Sequence, residues 1–120
     1  MDYYLHCLKF FKSMAVVKID KNSFQEEVVS YKGIVMVDFY AEWCGPCKMT
    51  GPIIEDLSLE MKNVKFVKVD VDANQELSSQ YNVFSIPTFI IFKNGEAVNQ
   101  FVGALGKDAF LTEINKVVSS

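Results

Sequence analysis

Basic excess, histidine and long apolar runs are all scarce in this sequence, and each shortage removes a class of function. The chain has 12 Lys and Arg against 15 Asp and Glu, a net charge of −3, with the lysines scattered among acids. That balance offers no basic patch for nucleic acid. No continuous apolar run approaches the ~20 residues needed to span a bilayer, so no membrane span is expected. The single histidine is His6, and the only Cys₃His set that can be written down is His6, Cys7, Cys44 and Cys47. Because His6 and Cys7 are adjacent and far from the other two, no metal site is expected. There are 3 cysteines, one of them outside any motif. An odd, low count argues against a secreted disulfide scaffold and fits a reducing cytosol. No internal repeat or linker is visible.

Half of the 120 residues are hydrophobic, which is enough for one small domain to bury a core without staples. The chemistry is concentrated in Trp43-Cys44-Gly45-Pro46-Cys47-Lys48. Ahead of it, Gly33 to Ala41 is apolar almost throughout and rich in β-branched and aromatic types, the pattern of a strand buried on both faces. Behind it, Met49, Ile53, Leu57 and Met61 recur at helical spacing, predicting a helix from Cys44 to about Met61. Cys44 then stands at a helix N-terminus and Cys47 one turn inside. Residues i and i+3 share a helix face, with Cβ atoms roughly 5–6 Å apart, so a disulfide can close with modest relaxation. Unpaired backbone N–H groups and the positive end of the helix dipole favour a thiolate at Cys44. Cys44 is therefore the expected nucleophile and Cys47 the resolving thiol.

The remaining elements follow from periodicity and turn signals. Val16 to Ile19 is a short strand, and Asn22 or Ser23 is expected to cap a helix reaching about Ser30. Val64 to Asp70 is a strand whose lysines are expected on a wet face, and Gln75 to Tyr81 a helix. Thr88 to Phe92 and Ala97 to Val102 flank an Asn94-Gly95 hairpin turn. Lys107 to Val118 closes the chain as an amphipathic helix. Strands alternating with helices and ending in a hairpin predict an α/β fold, a mixed sheet with helices on both faces. Within the central strand, Asp38 is anomalous. An ionised, unpaired carboxylate there costs several kcal/mol, so it must be protonated near neutral pH or supported by a partner.

Cys-Gly-Pro-Cys between Trp43 and Lys48, preceded by Val37-Asp38-Phe39-Tyr40-Ala41-Glu42, resembles the active site of the thioredoxin family. Lys68-Val69-Asp70-Val71-Asp72, Ile86-Pro87-Thr88, Phe92-Lys93-Asn94-Gly95 and Val102-Gly103-Ala104-Leu105 extend the resemblance over about residues 15–119. It implies the thioredoxin fold, with about five strands and four helices, and protein-disulfide reduction through a redox-active Cys44–Cys47 disulfide. It also implies that Asp38 takes the proton from Cys47 through water, that Lys68 modulates that acid, and that the Ile86–Pro87 bond is cis. The implied substrate surface comprises Trp43, Ile86, Pro87, Thr88, Val102, Gly103 and Ala104, with Gly45 and Pro46 at its rim. Ile86 would pair with an extended substrate segment as an added strand.

Gly45-Pro46 between the cysteines, without a histidine, implies a weaker thiolate and a reductant. The family's own reference potential, about −270 mV, is the comparison value. No bound cofactor is implied. Electrons would come from NADPH through thioredoxin reductase, or from a ferredoxin-linked reductase, in the cytoplasm. Substrates would be protein disulfides such as those of ribonucleotide reductase, peroxiredoxin and methionine sulfoxide reductase, met by a monomer. A redox-independent binding subunit or holdase, and a disulfide oxidant or isomerase, are the alternatives. Tyr40 stands where many members carry a second tryptophan, and Phe84-Ser85 makes the loop before Ile86 more apolar than is common.

Residues 1–14 fall outside the resemblance and form an atypical extension ahead of a 15–120 domain. The segment has an acidic start and no small-residue cleavage site, so it fails as a signal peptide, and Cys7 lacks a lipobox. An upstream start or a frayed extension is one reading. The other is a docking or membrane-surface segment built on Tyr3, Tyr4, Leu5, Leu8, Phe10 and Phe11.

Overall fold

The computed structural model describes residues 15–120. In chain order the elements are β1 (Val16–Ile19), α1 (Gln25–Val29), β2 (Ile34–Tyr40), α2 (Gly45–Glu60), β3 (Val64–Asp70), α3 (Gln75–Gln80), β4 (Thr88–Lys93), β5 (Glu96–Val102) and α4 (Lys107–Val118). The strands form one 5-stranded sheet in the order β1-β3-β2-β4-β5. β3 runs parallel to both β1 and β2, whereas β4 is antiparallel to β2 and to β5. This is the mixed sheet that the alternation of elements predicts. The expectations for residues 1–14, Cys7 and His6 included, lie outside the described residues.

β2 can be apolar on both faces because helices cover both. On one face Met36, Phe66 and Phe89 pack against Ile54 and Leu57 of α2 and against Phe110 and Ile114 of α4. On the other, Val35, Val37, Phe39, Val67 and Ile90 meet Val28 of α1 and Leu77 of α3. Each fully buried Phe, Leu or Val contributes roughly 1.5–3 kcal/mol relative to exposure, so these two layers hold the sheet between its helices. Side chains alternate along a strand, so Asp38 falls on the Met36 face, the one that α2 covers.

Three local expectations are corrected. Neither Asn22 nor Ser23 caps a regular α-helix. Asp20 instead closes the turn ahead of it, its Oδ1 accepting from the N–H groups of Asn22 at 2.9 Å and Ser23 at 3.1 Å; the N-cap residue Phe24 makes no side-chain cap bond, and α1 is wound as a π-helix closed by Ser30 N–H to the Gln25 carbonyl. On α2 the buried residues are Cys47, Thr50, Ile54 and Leu57, while Met49 is 70% exposed. Of the apolar stripe, Leu57 is buried and Ile53 and Met61 pack against the core, but Met49 faces outward because Cys47 and Thr50, not obvious core residues, take the buried positions at that end of the helix. Third, Lys65 and Lys68 do not share a wet face. Lys65 reaches the Glu27 carboxylate at 2.7 Å beside α1, whereas Lys68 points to the opposite side with Asp38.

The Asn94-Gly95 turn forms as expected, with φ of 51° and 87°. A Cβ on Gly95 would lie 2.3 Å from the Val29 carbonyl oxygen. Gly95→Ala combines that clash with an unfavourable φ, and should lower stability by about 1–3 kcal/mol in urea unfolding. An unchanged midpoint would show that the turn is free to move away from α1.

Candidate active site

The turn after β2 delivers Cys44 to the start of α2. Its N–H bonds the Ala41 carbonyl at 3.2 Å, and its extended backbone (φ −84°, ψ 113°) makes it the N-cap. The Cys44 sulfur itself accepts the N–H of Cys47 at 3.2 Å, so the cap is the reacting atom. Pro46 sits in the first turn, where a missing N–H leaves no bond unmade. No acidic residue occupies that turn to oppose negative charge on sulfur. Cys44 and Cys47 are joined by a disulfide, with Cα atoms 5.2 Å apart. Both are buried and pack with Ala41 against Tyr40, Val71 and Ile86.

Beneath them lies a cavity of about 190 Å³ whose lining includes Asp38, Tyr40, Cys47, Lys48, Gly51 and Lys68. Asp38 is 6% exposed, and its Oδ1 has no hydrogen-bond partner among the described residues. Burial pushes its pKa up to about 7, and the charge of Lys68 pulls against that rise. The pull has a simple origin in register: Asp38 on β2 stands opposite Lys68 on β3, with both side chains on the α2 face. Asp38, Glu42, Lys48 and Lys68 give the cavity polar groups and its volume leaves room for water, so it can carry a proton between Cys47 and the carboxyl. A larger depression of about 490 Å³, between Lys18–Asn22 and Ala73–Asn74, contains no thiol, and the smaller cavity is the chemically relevant one.

The Ile86–Pro87 peptide bond is cis. Ile86 touches the cysteine cluster, and the Pro87 carbonyl accepts the N–H of Gly103 at 2.9 Å. Gly103 has φ 114°, a conformation that favours glycine, and this turn brings the end of β5 beside the proline. Thr88 is buried, donates its hydroxyl to the Ser85 carbonyl, and pairs in register with Val102. Val102 is half exposed, and Gly45, Pro46 and Ala104 are exposed. Trp43 is 69% exposed, with its indole N–H donating to the Asp72 carboxylate at 2.7 Å.

The chain therefore brings Cys44, Cys47, Ile86, Asp38 and Lys68 into one site, with Val102 and Gly103 beside Pro87 and Trp43 next to the dithiol. Sequence reading missed Asp72, which holds Trp43 from 29 positions away. Its only signal was an acid in a loop. Lys18 was missed as well; it stands in register with Lys68 on the far side from Asp38. Phe84 is 84% exposed on the loop leading to Ile86.

A family model described as thioredoxin matches residues 15–116. A thioredoxin of Bacillus subtilis is 47% identical over 104 residues, covering 86% of this chain and 98% of the relative. A thioredoxin of Chlamydia trachomatis is 43% identical over 98 residues, 82% of this chain and 94% of its own length. A bifunctional thioredoxin reductase/thioredoxin of Mycobacterium leprae is 43% identical over 103 residues, which are 85% of this chain and 22% of that longer protein.

Proposed function

The chain belongs to the thioredoxin family and is a thiol-disulfide oxidoreductase, and we propose that its residues divide the work of reducing protein disulfides as follows. Cys44 thiolate attacks one sulfur of a substrate disulfide, forming a mixed disulfide and releasing the other substrate sulfur as a thiolate, which takes a proton. Asp38 accepts the Cys47 proton through water in the cavity. Cys47 thiolate then attacks the Cys44 sulfur, the mixed disulfide breaks, and the second substrate sulfur leaves as a thiolate, to which the proton held by Asp38 is returned. Two electrons pass to the substrate and the Cys44–Cys47 disulfide closes. The observation that carries this reading is the disulfide at the N-terminus of α2, above a buried carboxyl near neutral pKa. An acid so tuned is half ionised at working pH and suits both directions of proton transfer.

Ile86 offers its backbone to an extended substrate segment, and Pro87, Thr88, Val102, Gly103, Ala104 and Trp43 shape the surface around it. Lys68 tempers the acidity of Asp38, and Gly45 and Pro46 tune the potential by keeping imidazolium away from Cys44. We propose a thioredoxin reductase as the partner that recharges the dithiol, with NADPH or reduced ferredoxin behind it. Support comes from the Mycobacterium leprae relative, whose name joins reductase and thioredoxin in one chain. Cytosolic enzymes that form a disulfide at each turnover, such as ribonucleotide reductase, peroxiredoxin and methionine sulfoxide reductase, are the proposed substrates, served by a monomeric 15–120 domain. Among the described residues no helix is long and apolar enough to cross a membrane.

Equilibration of the purified protein with glutathione buffers, followed by thiol counting, tests the direction of transfer. A potential near the family's about −270 mV is expected; a value above about −200 mV would identify an oxidant or isomerase instead. Replacing both cysteines by serine separates redox chemistry from partner binding, because a holdase role survives that change and electron transfer does not.

A further inference from the structure

Three cationic or acidic side chains stand in one row across the parallel strands: Lys18 on β1, Lys68 on β3 and Asp38 on β2, in register and on one face. Lys68 is thus flanked by a like charge on one side and a carboxyl on the other. Electrostatics alone would close a Lys68–Asp38 ion pair, yet the two do not pair, and among the described residues Asp38 Oδ1 has no hydrogen-bond partner. The Lys68 ammonium instead lies 5.4 Å from the centroid of the Tyr40 ring, which lines the same cavity. Tyr40 follows Asp38 by two residues on β2, so its side chain shares that face.

We propose that Tyr40 is a positioning residue for the proton-transfer site: its ring holds the Lys68 ammonium at the cavity wall, so that Lys68 stands off from Asp38. The other charged groups facing the cavity are Glu42 from the turn before α2 and Lys48 from its first turn, and Asp70 lies opposite Tyr40 in register. β4 offers only Phe89 opposite Asp38. Lys68 is therefore the cation able to pair with Asp38 across neighbouring strands, and Tyr40 is its competitor for that cation. The proposal rests on Asp38 serving Cys47.

The test is a carbon-detected NMR titration of the Asp38 carboxyl in the oxidised protein, where neither Cys44 nor Cys47 titrates. Wild type, Tyr40→Phe, Tyr40→Leu and Tyr40→Ile are compared, the isoleucine variant being β-branched and well suited to a strand. Phenylalanine keeps the ring and should leave the midpoint near the wild-type one. Leucine and isoleucine release Lys68 toward the carboxyl and should lower the midpoint by about one pH unit. In a Lys68→Met background the same substitutions should have no such effect. An unchanged midpoint in both aliphatic variants, or an equal fall with and without Lys68, would overturn the proposal; the second outcome would mark Tyr40 as a solvent shield only. The titration reads the carboxyl whether or not it acts as a base. Turnover of Asp38→Asn measures that role separately, so failure of either reading is distinguishable.

Discussion

Asp38→Asn should stabilise the oxidised protein at pH 8 while slowing its reaction. The sign follows from the raised pKa. An unfolded chain releases the Asp38 proton near 3.8, but the folded one holds it up to about 7. Between those values the native state binds the extra proton, so stability falls as pH rises through that window and stays low above it. At pH 8 the wild type therefore carries the full penalty of a buried carboxylate, on the order of 4 kcal/mol as an upper bound. Asparagine carries no charge and escapes that pH-dependent penalty, though its amide still needs partners in the cavity. Urea unfolding of both proteins at pH 4 and pH 8 should show the variant gaining on wild type as pH rises. Parallel pH dependences would mean that Asp38 is not the group held up by burial. In the same variant, resolution by Cys47 loses its base and should slow on the order of 10²-fold or more.

The two cysteines should part company when each is removed. Cys47→Ala leaves the Cys44 thiolate at the helix N-terminus with no neighbour to resolve it, so mixed disulfides with substrate proteins accumulate. Non-reducing electrophoresis should reveal these adducts, and dithiothreitol should dissolve them. Cys44→Ala should form none, because Cys47 lies one turn inside α2 and lacks the N-cap position. Multiple-turnover reduction should fall on the order of 10³-fold or more in both variants, since nucleophile and resolving thiol act as one unit. Adducts forming through Cys47 in the Cys44→Ala protein would reverse the assignment of roles.

Much of this molecule was legible because its signals are short in range. β1, β3 and α4 begin and end where hydrophobic alternation or helical periodicity predicts, and β2 lies one residue inside each end of its apolar run. The hairpin turn was visible in Asn94-Gly95, two residues suited to positive φ. Where reading failed, the missing term was a partner distant in sequence or an unusual local winding. Met49 looked like core until α2 turned Cys47 and Thr50 inward, and Lys65 and Lys68 looked alike until the strand placed them on opposite faces of the sheet.

Residue order alone determined the dithiol and its place at a helix start, the buried strand beneath it, and the presence of an acid that such a strand cannot accommodate ionised without help. All of these depend on neighbours within a few positions, where backbone geometry is set by local sterics and periodicity. Tertiary structure decided the rest: that Lys68 faces Asp38 while Tyr40 holds it back, that Asp72 fixes Trp43, and that Ile86 and Gly103 meet around the cis proline. Those contacts join strands and loops from tens of residues apart, and sheet register and helix phase, neither of which can be read in a single segment, settle which side chains meet.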